Sequence, residues 1–447
     1  MSNNIYHITA SDNSFVNTGH TYQSEGAIHQ KLLNLLLPGR ESSESLSLYW
    51  DQRQARQRHV DETGKWLHDV DSFKSWLVEK NSFLWLRGIA GSGKTVLSST
   101  VVDHLRSLKG NNHVAGYYFN AREAEKRRVS RSVRSLLLQL CPAEGNLPDK
   151  VKQLLDMSLR EISDAQLLEA LKDLIKREEQ IYIVIDALDE CDTSFESSKE
   201  AEDEKLGRFI HWLTSIDAPN LHLLVTSREN GLTNHLNEKL RHVLEGGIQG
   251  SCCGNEINLQ AIGIRDNLAD DIGKFIDSEL KRWNNRKDRR WLPLDNSKHS
   301  LIAISVKYRA NGMFRLAACL LDLLRRKEEW GGVEEALNGL PSELSGVYNR
   351  IFQDINDQRQ LKTATTLLRW LLYSERPLTL GELTELTMID GQGVFTIERR
   401  AKNRSYVPLT LSSFIVISND LVQFAYQTVK EYLSNEGEYG FFQKPDS

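Results

Sequence analysis

The chain is short of cysteine, has no surplus of charge of either sign and lacks long apolar runs, and each shortage removes a class of protein. Its 447 residues include five cysteines, Cys141, Cys191, Cys252, Cys253 and Cys319. None forms a Cys-x-x-Cys pair, no histidine cluster accompanies them, and their number is odd. That argues against a disulfide framework or a zinc site and for a reducing compartment. Lys and Arg total 56 against 61 Asp and Glu, a formal net charge of −5. So even a balance supplies no global field for capturing nucleic acid or an anionic membrane. The apolar cluster at residues 32–37 is interrupted by Asn34 and stops at Pro38-Gly39, too short to span a bilayer. Residues 1–10 are polar and lack a basic stretch followed by an apolar one, so no signal peptide is expected. A cytoplasmic protein with no membrane span is the expectation.

What is present is globular. Hydrophobic residues make up 40% and charged residues 26%, and the length suits roughly two to four domains. Residues 1–26 are rich in Asn, Ser, Thr and Gly and read as a flexible polar tail. Helical spacing covers 27–37. Between 50 and 80, Trp66, Leu67, Val70, Phe73, Trp76 and Leu77 recur at helical intervals, which predicts one or two amphipathic helices. The texture then changes. Phe83-Leu84-Trp85-Leu86 is a short apolar run meeting a glycine-rich turn, with a helix predicted over 95–108 and a strand over 114–120. Helices at 133–140 and 165–175 alternate with apolar strands at 181–185 and 221–225. Strands apolar throughout, alternating with helices, predict an α/β fold with a parallel sheet covered on both faces. After about residue 262 the pattern is helical, at 268–280, 301–308, 313–324 and 347–355. Near the end, 413–417 and 421–425 read as a hairpin turning at Asn419-Asp420.

Gly88-Ile89-Ala90-Gly91-Ser92-Gly93-Lys94-Thr95 satisfies G-x-x-x-x-G-K-[ST]. The glycines let the backbone curl so that successive N–H groups face phosphate oxygens, and the helix that begins here adds its positive end. Lys94 brings a point charge to the β- and γ-phosphates, and the Thr95 hydroxyl ligates Mg²⁺. The motif follows an apolar strand and opens a helix, the context it requires. Ile181-Tyr182-Ile183-Val184-Ile185-Asp186 is its complement: a buried strand delivering a carboxylate to the sheet's C-terminal edge, where Asp186 would hold Mg²⁺. Asp189 and Glu190 follow at once. Either one polarises the attacking water, or the pair belongs to a solvated acidic loop. Leu221-His222-Leu223-Leu224-Val225-Thr226-Ser227-Arg228 is a further strand, expected beside the P-loop strand. Arg228 then lies within reach of the γ-phosphate, or is a surface arginine.

On these residues the chain resembles the NACHT branch of the STAND NTPases, in the form found in fungal NOD-like receptors. The resemblance takes in Thr63-Gly64-Lys65-Trp66-Leu67, the P-loop, Arg134-Ser135-Leu136-Leu137-Leu138-Gln139-Leu140 and Ile185-Asp186-Ala187-Leu188-Asp189-Glu190-Cys191. It continues through Thr226-Ser227-Arg228, Asn311-Gly312-Met313-Phe314-Arg315-Leu316-Ala317, Leu340-Pro341, Arg376-Pro377-Leu378-Thr379-Leu380 and Val429-Lys430-Glu431-Tyr432-Leu433. It implies a helical segment at 27–80, a NACHT P-loop NTPase domain at 81–262, a helical domain at 263–342 and a winged-helix domain at 343–447. It also implies a switch closed over ADP, opened by exchange for ATP, self-associating through the NACHT domain and hydrolysing ATP slowly. The sequence departs from the family in three places. No repeat array follows Leu433. No folded effector precedes residue 27, although 13–23 faintly resembles the amyloid-signalling motifs through which such receptors engage an effector protein, a disordered linker being the other reading. Tyr426 stands where the winged helix usually offers a histidine to the ADP phosphate.

Other features read as bland. The basic stretch 281–290 is expected to be a solvated helix end rather than a nucleic-acid contact, and 200–204 an exposed acidic loop. Trp283, Trp291 and Trp330 are expected to anchor packing. A continuously turning-over ATPase of the AAA+ type and a sensor-less regulatory decoy remain as alternative functions; a motor would need an arginine finger from a neighbouring subunit.

Overall fold

Three strands are apolar almost from end to end, and they become the interior of a sheet. In the computed structural model, β1 (Ser82–Arg87), β3 (Gln180–Asp186) and β4 (Leu221–Ser227) are buried along nearly their whole length. The order is β2-β3-β4-β1-β5, with β2 at Asn112–Tyr118 and β5 at Cys253–Asn258, and every pairing is parallel. The structure describes residues 27–37 and 50–434, except 109–111, 122, 143–146, 159–161, 192–206, 208, 217, 229–233, 246–252, 286–291, 328, 354, 356–357, 375, 390–393, 401–406, 408–410, 412–413, 419 and 426. Expectations for 13–23, 200–204, Trp291 and Tyr426 therefore lie outside the described residues.

Strand alternation assigns the two faces. Phe83, Trp85, Ala115, Tyr117, Ile181, Ile183, Ile185, Leu221, Leu223 and Val225 form one core with α1 (Ala27–Leu36), α5 (Val129–Leu140), α6 (Asp149–Leu155) and α7 (Asp164–Arg177). Helix α8 at residues 209–215 and α9 (Asn234–Leu244) complete that layer. Residues of the other parity meet α3 (Asp71–Val78) and α4 (Lys94–Ser107): the Trp76 ring packs edge-on to Tyr182 and His222, and its indole N–H donates to the Leu223 carbonyl at 3.1 Å. The sheet is thus covered on both faces, an α/β P-loop NTPase fold.

The 50–80 region is three pieces: α2 (Trp50–Gln57), a 3-10 turn (Lys65–Asp69) and α3. Gly64, at φ +75°, is the left-handed residue from which the 3-10 turn starts, and the extended Val70 separates that turn from α3. The edge strand β5 has no apolar run to announce it.

The chain divides into two compact units, one built from Tyr22–Asp288 with Pro293–Ala317, the other chiefly from Ala318–Ser447. The first includes α10 (Ile264–Asn285) and α11 (Asn296–Ala310), and Trp283 is buried as an anchor. A long helix, α12 (Phe314–Arg325), begins in the first unit. The second contains α13 (Trp330–Asn338), α14 (Leu344–Gln353), α15 (Gln358–Tyr373) and α16 (Leu380–Leu386). The expected hairpin is there, as β7 (Ile415–Ser418) paired antiparallel with β8 (Leu421–Phe424), joined on its other side by β6 (Leu378–Thr379). Arg376-Pro377-Leu378-Thr379-Leu380 is a helix start. Thr379 and Glu382 form a reciprocal capping box for α16, and Arg376, with the Thr379 backbone, holds the Glu382 carboxyl down at about 2. In the interior Tyr348 donates to or accepts from Thr428 at 3.0 Å and packs against Phe414 and Tyr432.

Candidate nucleotide-binding site

The end of β1 turns directly into α4 through residues 88–93. Gly91 and Gly93 sit at φ +77° and +92°, a region where a side chain is strained. Ser92 is buried with its hydroxyl donating to the Ile89 carbonyl at 2.9 Å, and the Gln260 side chain accepts the Ile89 N–H at 3.0 Å. The curl is thereby fixed from inside and from the loop after β5. Lys94 is only 9% exposed, and its ammonium donates to the Gly88 and Ile89 carbonyls at 2.8 and 3.0 Å. Burial pulls its pKa down to about 8, opposed by the carboxylates of Asp189 and Asp186.

Asp186 ends β3 on the sheet face that α4 covers, at 1% exposure. Its carboxylate accepts from Ser98 at 3.0 Å, from Thr226 at 2.7 Å and from Thr95. Burial drives its pKa up, and the three hydroxyls hold it back. The sequence-predicted pair Thr95 and Asp186 is therefore together, one hydroxyl and one carboxylate in mutual reach. That donor set fits Mg²⁺, a hard cation that keeps several waters and takes one or two protein oxygens beside substrate phosphates. Among the described residues no cluster of three or more His, Cys, Asp or Glu could hold a metal by itself.

β4 lies between β1 and β3, as expected, and carries Thr226 and Arg228 to the same edge. Asp189 is drawn to Arg228: its carboxylate accepts the Arg228 backbone N–H at 2.9 Å and the Nε–H at 2.5 Å. Glu190 accepts from the Ala121 backbone N–H at 2.9 Å, which ties it to the segment after β2. All the sequence-predicted residues from 88 to 228 thus meet at one sheet edge. Sequence reasoning did not find Ser98, Gln260 or the contact of Phe314 and Arg315 with the loop. Ser98 lies one helical turn beyond Lys94 and was legible in principle. Gln260 has no local signal.

The Arg315 N–H donates to the Gly91 carbonyl at 3.3 Å, and a Cβ on Gly91 would come within 2.5 Å of the Arg315 Cβ. Gly91→Ala combines that overlap with a left-handed backbone that costs a non-glycine residue about 1–2 kcal/mol. The variant is expected to bind a fluorescent nucleotide at least about tenfold more weakly. Affinity within about twofold of wild type would show that the loop can move away from α12 freely.

A family model described as Nephrocystin 3, N-terminal, matches residues 62–228, the span from the turn before the P-loop to Arg228. The vegetative incompatibility protein HET-E-1 of Podospora anserina is 20% identical over 377 residues, covering 82% of this chain and 26% of that protein. The chain thus spans about a quarter of that relative's length. Among solved structures, the Walker-type ATPase PABY2304 of Pyrococcus abyssi is 16% identical with a TM-score of 0.40, covering 84% of this chain and 97% of that one. The ADP form of the Aeropyrum pernix ORC2 protein is 13% identical with a TM-score of 0.34, over 86% and 92% of the two chains. The chain has an α/β P-loop NTPase fold, with the G-x-x-x-x-G-K-[ST] loop between a strand and a helix as that motif requires. Among the described residues no helix is long and apolar enough to cross a membrane.

Proposed function

We propose that this chain is an ATP/ADP-dependent signalling switch of the NACHT type that self-associates when ATP is bound and hydrolyses it slowly. The observation that carries the reading is the meeting of the buried Lys94 and Asp186 with the exposed Thr95 at one hydroxyl-lined point of the sheet edge. In this reading Gly88, Gly91, Ser92, Gly93 and Lys94 surround the phosphates, and Thr95 and Asp186 hold Mg²⁺, whose charge neutralises the transferring phosphoryl group. Slow turnover follows from the state of the acidic pair: Asp189 is committed to Arg228 and Glu190 to a backbone N–H, so neither is poised over a water until the edge rearranges. The similarity to a vegetative incompatibility protein supports a role in fungal signalling of that kind, with residues 81–262, 263–342 and 343–447 as NACHT, helical and winged-helix domains. An N-terminal link to an effector, and contact between Tyr426 and ADP, are implied by the family resemblance alone.

Purified protein should carry ADP or ATP and turn ATP over slowly, at well below one cycle per second, with larger assemblies in ATP than in ADP on sizing chromatography. Fast, steady turnover independent of assembly would favour a motor and overturn the switch. A mixture with a full-length relative that suppresses the relative's response would favour the decoy.

Lys94 makes the reading pH-sensitive. Its pKa in the protein without nucleotide is about 8, below the 10.5 of an unhindered lysine. A bound polyanion favours the charged form, so binding takes up a proton once pH exceeds about 8. Affinity should be flat below that pH and fall by up to about tenfold per unit above it, until pH approaches the pKa of the bound form. Stability of the nucleotide-free protein should move the opposite way. The unfolded chain binds more protons at this group between about 8 and 10.5, so the contribution of Lys94 to folding improves as pH rises through that window. Calorimetric titrations in buffers of different ionisation enthalpy read the proton uptake; none at pH 9 would contradict the assignment.

A further inference from the structure

The two neighbours of β1 divide the surroundings of the phosphate loop. On the β4 side stand Asp186, Thr226, Asp189 and Arg228, polar groups suited to phosphate and metal. The nucleoside half of a ligand must therefore leave on the β5 side. There Gln260 holds Ile89, Phe314 lies over Gly93, and a turn at residues 59–66 abuts the first turn of α4. Gly64 is the point of approach: a Cβ there would lie 2.9 Å from Leu97, whose N–H is bonded to the Gly93 carbonyl at 2.9 Å.

That turn is held from outside by one carboxylate some two hundred residues away. Asp271 of α10, 2% exposed, accepts the Gly64 N–H at 2.7 Å and the Trp66 indole N–H at 2.8 Å on a single oxygen. Its other oxygen faces Lys274 at 3.4 Å, and Lys274 in turn donates to the Glu62 carbonyl at 2.7 Å. Within the turn, Thr63 donates to the Val60 carbonyl at 2.6 Å, and the His59 ring meets the Thr63 carbonyl at 3.0 Å. One helical turn before Asp271, Leu268 packs beneath Gly312 at the start of the Phe314–Arg315 segment. So α10 backs both walls on this side of the loop. A carboxylate is costly to bury, and a turn in need only of packing would not require one. Its charge-assisted bonds fix two donors in place to hydrogen-bond precision.

We propose that Asp271 is a positioning residue for nucleoside recognition: it sets the 59–66 turn as a wall for the base and ribose beside the phosphate loop. The inference rests on the nucleotide-binding reading of the P-loop, and the test separates the two. The ligands are ATP and inorganic tripolyphosphate, titrated calorimetrically into the full chain. Asp271→Asn retains an acceptor but opposes one donor with its amide, and Trp66→Phe deletes one donor while leaving the carboxylate. Both are expected to weaken ATP by about three- to tenfold and leave tripolyphosphate within about twofold, because the phosphate loop is untouched. Asp271→Leu should widen that split further. Lys94→Ala should weaken both ligands together. Equal weakening of ATP and tripolyphosphate by Asp271→Asn and Trp66→Phe, or no effect on either ligand, overturns the inference. Should an Asp271 variant lose its cooperative thermal transition, Trp66→Phe decides alone. If Lys94→Ala changes neither ligand, the phosphate-loop reading fails and the inference falls with it.

Discussion

Lys94→Ala is expected to weaken ATP and ADP by roughly ten- to a hundredfold, the equivalent of the ~1.5–3 kcal/mol carried by a charge-assisted contact. The side chain is 9% exposed and lies inside the curl, bonded to the carbonyls of Gly88 and Ile89, so its ammonium is already where phosphate oxygens would be held. Without it the loop keeps its N–H groups and the start of α4, but the compensating charge is lost. Stability without nucleotide should move less, because removing a desolvated cation and stranding two carbonyls act in opposite directions. The informative measurement is therefore the shift in thermal midpoint on adding nucleotide, which should be present in wild type and nearly absent in the variant. Lys94→Met, which retains the aliphatic stem, should behave like alanine. A variant that melts and shifts with ATP as wild type does would sink the assignment of the site.

How much of this was legible in the sequence follows from where each residue sits. Inner strands are apolar on both faces, so β1, β3 and β4 stand out as runs, and a P-loop is a local pattern whose chemistry depends on spacing alone. β5 is an edge strand reading Cys-Gly-Asn-Glu-Ile-Asn, with one buried aliphatic position, Ile257, and nothing periodic to detect. The site's far contacts are harder still. Asp271 is one of several acidic residues in its helix, and its meaning comes only from Gly64 and Trp66, to which nothing in the local sequence points. The same holds for Gln260 at Ile89 and Arg315 at Gly91. Residues 188–190 illustrate a different limit. The sequence supplies two adjacent acids and leaves their roles interchangeable, whereas the fold gives each a separate partner.

That separation sets the second large prediction, in which the two acids behave differently. The Asp189 side chain is 2% exposed and makes two bonds to Arg228, whose side chain is 24% exposed. In Asp189→Asn the amide carbonyl keeps the bond to the Arg228 N–H, but the NH₂ group then faces the guanidinium, donor against donor. Breaking a fully buried pair costs about 3–5 kcal/mol; with Arg228 partly in water, about 1–3 kcal/mol is expected here. The variant should therefore melt earlier and release Arg228 from its place beside Lys94, altering ATP affinity as well as turnover. Glu190→Gln retains an oxygen for the Ala121 N–H, so folding and nucleotide affinity should hold. If Glu190 polarises the attacking water once the edge rearranges, turnover should fall by about a hundredfold or more, the lower range of a general base's contribution. Single-turnover hydrolysis, ATP affinity and thermal midpoint, measured on both variants, separate the roles. Turnover in Glu190→Gln within about twofold of wild type would remove Glu190 from the chemistry, and an unshifted midpoint in Asp189→Asn would show that the bond to Arg228 contributes nothing to the fold.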